Sequence, residues 1–358
     1  MKSGLTITQM AQELERQQNV KRDFVADTRQ LIIAEDAGVS LALGDKGIER
    51  FDSNNIFRRQ MAEHFKVPHD YAERLRDTPE LRALYADTFN THLQKMPTRQ
   101  MIRTLDGTAR AFRSDRFRPL DNFDLAEAVL PAALAQPQVS LVSSQFTEAR
   151  FYMKFVFPRL EAEVKKGDVV QFGISISNSE VGMGSLAVEP FTYRLICLNG
   201  MIAADYGHKR YHVGKKAEGG ELAYELYSEG TRKLDDAALF AKIQDTVRGL
   251  LNRDVLERLV QPMRDATEQP LEGTNIVGAV EVVAKKLNYG EGTKQGVLKH
   301  LLMGNDLTRY GLMNAITRQS QDEGDYETAT KLEKDGGRIL ELPKADWRQI
   351  ADAALKAA

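Results

Sequence analysis

Cysteine is almost missing: Cys197 is the only one in 358 residues. That excludes an intramolecular disulfide and a multi-cysteine metal site within one chain, and it fits a reducing compartment. Long apolar runs are missing too. No stretch of about 18 apolar residues occurs, so no membrane-spanning helix and no membrane partner is expected. The opening Met1-Lys2-Ser3-Gly4-Leu5 leads into a mixed polar stretch, not an apolar signal core, and a cytoplasmic protein is the expectation. Charge of one sign is also scarce, with a formal net charge of -2. A binder of the histone or basic-tail kind is thereby excluded, and any nucleic-acid contact must come from a local patch. Neither a Walker-A loop nor a dinucleotide fingerprint appears, and no internal repeat is visible. No cofactor is expected. His64, His69 and His92 fall at spacings that match no metal-ligand pattern.

What remains is an ordinary globular composition, 42% apolar and 28% charged. The length suits two or three compact units. The pattern reads as an α+β protein in three parts. Residues 1–100 form a small α/β module, 101–220 a central antiparallel β-sheet domain with a basic strand and loop, and 221–358 a helical region.

In the first part, residues 6–14 read as a helix capped by Thr6 or Thr8. Two apolar runs, 29–34 and 39–43, flank Asp36 and Gly38 and predict a hairpin. From Asn54 the period becomes helical, with Ile56, Met61, Ala62, Phe65 and Val67 on one stripe.

The central part opens on a hairpin, because Asp106-Gly107 is a strong turn dipeptide between 101–105 and 109–118. Alternation along the second strand puts Arg110, Phe112, Ser114, Arg116 and Arg118 on one face and Arg113, Asp115 and Phe117 on the other. Such a face has two readings. It contacts phosphates and stacks bases, since guanidinium groups present a planar fork and aromatic rings stack on any base. Or it is a solvated face whose arginines pair with carboxylates such as Asp115, Asp121 and Asp124.

Asp121-Asn122 starts a helix that Pro137 ends. Strands follow at 139–147, 151–157 and 169–177. Phe151, Met153, Phe155 and Phe157 share one parity and face a core, while Tyr152 and Lys154 share the other. Gly182 and Gly184 then lie in a stretch that either cradles a phosphate or simply connects strands. Cys197 reads as a small buried hydrophobe. A second basic cluster spans 208–216, with Lys209, Arg210, Tyr211, Lys215 and Lys216 as candidate contacts. Its alternative is a solvated loop, since Glu218 and Glu221 soon reverse the charge.

The last part is helical throughout. Asp235-Asp236 opens a long run stopped by Pro262. Helices follow at 276–287, 294–303, 307–319 and 325–332, with Gly336-Gly337 breaking the last. Trp347 packs a terminal helix.

Three stretches carry a resemblance. Residues 114–122 (Ser-Asp-Arg-Phe-Arg-Pro-Leu-Asp-Asn), 178–182 (Asn-Ser-Glu-Val-Gly) and 193–201 (Tyr-Arg-Leu-Ile-Cys-Leu-Asn-Gly-Met) resemble the phage/plasmid-like protein family called domain of unknown function 932. Residues 314–318 and 325–329 are similar as well. The resemblance implies residence on phages, plasmids or integrated elements, and it supplies no catalytic residues. The order hairpin, helix, three strands is also similar, at the level of layout, to phage single-strand annealing proteins of the Red-beta and Erf type, which assemble into oligomers on single-stranded DNA.

Three functions are compatible with these residues. The first is a non-catalytic, oligomeric protein that holds or anneals single-stranded DNA and uses Arg110, Phe112, Arg113, Arg116, Arg118, Lys209, Arg210, Tyr211, Lys215 and Lys216. The second is a metal-dependent enzyme on nucleic acid or nucleotides, with Asp115, Asp121 and Glu180 as acids and His208 or His212 as base. The third is a host-takeover or anti-defence protein that binds a host protein.

Overall fold

A computed structural model describes residues 1–118, 120–204, 208–210 (backbone only) and 229–356. The chain folds as α+β, with two separate six-stranded sheets and helices packed on each. The first sheet uses β1 (Arg22–Asp27), β2 (Leu31–Ile33), β3 (Val39–Ala42), β4 (Ile48–Ser53), β5 (Arg99–Leu105) and β6 (Thr108–Ser114). Their order is β1-β5-β6-β4-β3-β2, antiparallel except where β4 runs parallel to β6. The hairpin expected in the central sheet therefore joins the leading one. Its β5 strand pairs with β1, and its β6 strand with β4.

Local chemistry accounts for these elements. Thr6 and Gln9 form a reciprocal capping box at the start of α1 (Ile7–Val20). Asp36 Oδ1 accepts the Gly38 N–H in the β2–β3 turn, and Asp106 and Gly107 take φ of 50° and 74° in the β5–β6 turn. Asn54 caps α2 (Asn55–His64), which is followed by α3 (His69–Asp77) and α4 (Arg82–Lys95). These helices bury Phe57, Met61, Tyr85, Phe89 and Leu93 against Leu41, Phe51, Ile102 and Phe112 of the sheet. Burial of each such side chain contributes roughly 1.5–3 kcal/mol, which holds the module together.

The second sheet holds β7 (Ser140–Phe146), β8 (Phe151–Lys165), β9 (Asp168–Asn178), β10 (Leu186–Arg194), β11 (Asn199–Ile202) and β12 (His208–Arg210). Its order is β11-β10-β9-β8-β7, and β12 shares the outer edge of β10 with β11. Phe151, Met153, Phe155 and Phe157 lie in the large core as the alternation predicts. On that core face lie α5 (Asn122–Leu134), α6 (Glu229–Leu250) and α7 (Arg253–Thr267), whose apolar side chains belong to the same cluster. Tyr152 and Lys154, on the opposite face, are buried as well, by a later helix.

The remaining helices are α8 (Ile276–Leu287), α9 (Glu291–Gly304), α10 (Arg309–Gln319), α11 (Tyr326–Glu341) and α12 (Lys344–Leu355). Two expected breaks do not occur. Pro262 sits inside α7, whose buried stripe of Val255, Leu256, Leu259, Val260, Met263 and Ala266 continues past it; packing outweighs the missing hydrogen bond. Gly336 and Gly337 lie inside α11, which crosses β11 so closely that a Cβ on Gly337 would meet the Ile202 carbonyl oxygen at 2.5 Å. Cys197 also departs from expectation. It is half-buried in the β10–β11 turn, with Arg194 Nη1 3.4 Å from its Sγ. Arg309 stacks over Trp347 of α12 at 5.3 Å.

Candidate nucleic-acid interface

The basic strand does not keep its expected faces. The β5–β6 register shifts at Arg103 and Thr104, which pair with Ala111 and Ala109, so Arg110 is the extra residue of a β-bulge. Ala109 and Phe112 consequently share the core side, and Arg110 leaves it. Phe112 is 3% exposed and packs edge-on against Phe57 at 5.6 Å, so this ring is part of the module's core and is not presented for base stacking. Arg110 reaches Glu180 Oε2 at 2.6 Å. Arg118 pairs with Asp235 and Asp236 at the start of α6. For Arg110 and Arg118 the carboxylate-paired reading of the strand is the one observed. Arg116 is exposed, and Arg113 is half-buried with its guanidinium 5.2 Å over the Phe117 ring. Burial pushes Arg113 below the usual arginine pKa, and its Nε is buried with no hydrogen-bond partner among the described residues.

Glu180 is the hub between the sheets. Its Oε1 accepts the Asn122 N–H at 2.8 Å, and its backbone oxygen accepts from Arg103 Nη1 at 2.8 Å. Arg103 is fully buried and also binds Asp23 and Asp121, each at 2.8 Å, while Lys21 reaches Asp121 at 2.6 Å. Burial by itself lowers the Arg103 pKa; Asp121, Asp23 and Glu180 reverse this and leave it above the ordinary value. Burial likewise raises Asp121, but Arg103 and Lys21 more than offset it and hold the carboxyl below its usual range. Gln60 ties the same segment to the first sheet, accepting the Phe112 N–H at 2.9 Å and donating to the Val181 oxygen at 2.8 Å.

The glycine-containing stretch is the connection between β9 and β10. Gly182 takes φ 72°, and a Cβ there would meet Arg113 Nε at 2.9 Å and the Phe117 ring at 3.0 Å. Arg150 donates to the Met183 oxygen at 3.0 Å. Arg150 was not among the expected contacts; its only signal was a basic residue in the short Glu148-Ala149-Arg150 turn. β12 lies at this same end of the sheet, with Arg210 opposite Leu186 and Lys209 opposite Ala187. The backbone of the second basic cluster thus starts beside the turn that Arg113 and Arg150 hold. Tyr211, His212, Lys215 and Lys216 lie outside the described residues.

The acids expected for an enzyme meet only in part. Arg103 binds the Asp121 carboxylate but only the backbone oxygen of Glu180, whose carboxylate goes to Arg110 and the Asn122 N–H, and Asp115 is exposed in the turn after β6. Three carboxylates, Asp23, Asp121 and Glu180, face three cations, Lys21, Arg103 and Arg110, so the cluster is already neutralised. Among the described residues no group of three or more His, Cys, Asp or Glu side chains is placed to hold a metal ion. A cleft of about 230 Å³ opens beside Arg110, Glu180, Asn54, Asn122 and Arg150.

No family model matches the chain, and no curated protein or solved structure is significantly similar to it.

Proposed function

We propose that the chain is a mobile-element protein that binds single-stranded DNA at the corner between its two sheets, as an oligomer. The arms of the corner are residues 113–118 and the basic cluster that begins at β12. The reading draws its main support from one register, Arg210 opposite Leu186, beside the turn against which Arg113 packs. Arg113 forms no ion pair among the described residues, unlike Arg110 and Arg118, whose charge is matched internally. Phosphate contact of this kind is salt-dependent and indifferent to sequence. The resemblance to phage and plasmid proteins points to the same setting.

Fluorescence anisotropy with a labelled single strand and its duplex, at low and at moderate salt, tests this. Tighter binding of the single strand and a steep loss with salt are expected. Replacing Arg113, Arg116, Lys215 or Lys216 by glutamine should flatten the salt slope by about one unit per lost phosphate contact. Absence of binding at low salt would sink the reading. Size-exclusion chromatography with and without the strand reports the oligomer.

A further inference from the structure

A further basic surface lies at one end of the first module, where four segments meet. The end of α2 reaches the start of β5, with the His64 ring Nε2 and the Thr98 hydroxyl 3.1 Å apart. The Phe65 and His92 rings, 5.4 Å apart, bring the end of α4 to the same place. Strands β5 and β6 pair there with Gln100 opposite Ser114 and Met101 opposite Arg113. These contacts gather Lys66, Lys95, Arg99 and Arg113. The first three were not among the expected contacts, because only the fold collects them.

The charge here is not cancelled. Lys66, Lys95 and Arg99 are exposed, and neither they nor Arg113 form an ion pair among the described residues. Three carboxylates lie in or opposite these segments. Glu63 is matched by Arg59 at 3.0 Å. Asp27, opposite Arg99 across β1 and β5, is held by two hydrogen bonds from the Arg29 guanidinium. Asp115 is the one left over. Four cations against one carboxylate leave an excess of +3, on a chain whose formal net charge is -2.

Lysine and arginine gathered on one face are the footprint of a polyanion partner. Met96, 57% exposed, is the only exposed large apolar side chain in these segments, which is too little for the apolar face that peripheral proteins sink into a bilayer. Arg113 belongs both to this surface and to the corner between the sheets, where it packs beside Gly182. We propose that the single strand held at the corner continues over this end of the first module, with successive phosphodiesters on Arg113, Arg99, Lys95 and Lys66. Each cation contacts a phosphate and none reads a base, so this part of the track is indifferent to sequence. The inference rests on the strand-binding reading and extends its track beyond the corner.

Two triple variants test it. The first combines Lys66→Gln, Lys95→Gln and Arg99→Gln. The second, Lys242→Gln with Lys285→Gln and Lys299→Gln, removes the same charge from exposed helical positions elsewhere. Anisotropy of a labelled single strand is followed from about 50 to about 200 mM salt. The first triple should flatten the slope of log affinity against log salt by about two to three units, at roughly 0.7 to 1 per phosphate. Over that range the wild type should lose roughly 15- to 60-fold more affinity than this variant. The second triple should keep the wild-type slope to within about one unit. Both should unfold thermally with the wild type. Equal slopes for the wild type and the first triple overturn the extension and leave the corner reading standing. Equal flattening in both triples reports bulk charge, not a track, and overturns it too. If the wild type binds no strand at low salt, the corner reading falls and this one with it. If the first triple abolishes binding to phosphatidylserine vesicles and leaves strand binding unchanged, the surface belongs to a membrane and the proposal is overturned.

Discussion

Arg110 and Glu180 close a 2.6 Å ion pair across the boundary between the two sheets, with side chains only 10% and 4% exposed. At that burial the pair matters less for what it adds than for what its loss exposes. Glu180→Ala strands the Arg110 guanidinium and deprives the Asn122 N–H of its acceptor. Breaking one side of a buried pair costs about 3–5 kcal/mol. Urea unfolding of Glu180→Ala should show a loss of that order. Arg110→Ala added on top should cost much less than it does alone, because the two changes remove one interaction.

Lys154 and Glu333 form the second buried pair, 2.6 Å apart and 1% and 0% exposed. Burial alone lowers the lysine pKa; Glu333, aided by Tyr326, reverses that and holds it above the ordinary value. Lys154→Met leaves Glu333 buried without its counter-charge and should destabilise by about 3–5 kcal/mol. Lys154→Met with Glu333→Leu should recover most of that loss, since an apolar pair of similar volume carries no desolvation penalty. Equal stability of the single and double variants in urea would contradict this account.

These two pairs also mark how far the sequence could be read. The period-2 run Phe151, Met153, Phe155 and Phe157 and the Asp36 and Asp106 turns were legible because they depend on neighbours in the chain. Lys154, on the opposite parity to those apolar residues, gives no local sign of burial, because Glu333, its partner, lies 179 positions later. Arg110 and Phe112 share a face by alternation, but a bulge settled by the partner strand separates them. Gly336-Gly337 reads as a break by propensity, because what excludes a Cβ lies elsewhere in the chain: the Thr317 side chain at Gly336 and the Ile202 carbonyl oxygen of β11 at Gly337. Two arginines of the candidate DNA surface, Arg110 and Arg118, answer to carboxylates that only the fold brings near.

Acid should weaken the junction through Asp121. Its folded pKa lies below the ordinary 3.8, so the unfolded chain takes up this proton first as pH falls. The stability it contributes is therefore complete above pH 3.8 and is lost as pH drops through the folded value. Asp121→Asn cannot titrate. The stability gap between wild type and Asp121→Asn, measured by urea unfolding, should be largest at pH 5 and above and should shrink below about pH 3.8.

Two helical glycines should respond to alanine in opposite directions. Gly249 is exposed in α6, and a Cβ there meets nothing within 4 Å. Gly249→Ala should raise stability by about 0.4–1 kcal/mol, mainly by restricting the unfolded chain. Gly337→Ala gains the same helix preference, worth up to about 1 kcal/mol. Against it stands a Cβ 2.5 Å from the Ile202 carbonyl oxygen, a backbone atom of β11 that cannot turn aside. Overpacking of this kind costs about 1–3 kcal/mol, which exceeds the gain. Thermal unfolding should therefore place Tm above wild type for Gly249→Ala and below it for Gly337→Ala. A Gly337→Ala protein as stable as wild type would mean that α11 does not lie on β11 as closely as this geometry requires.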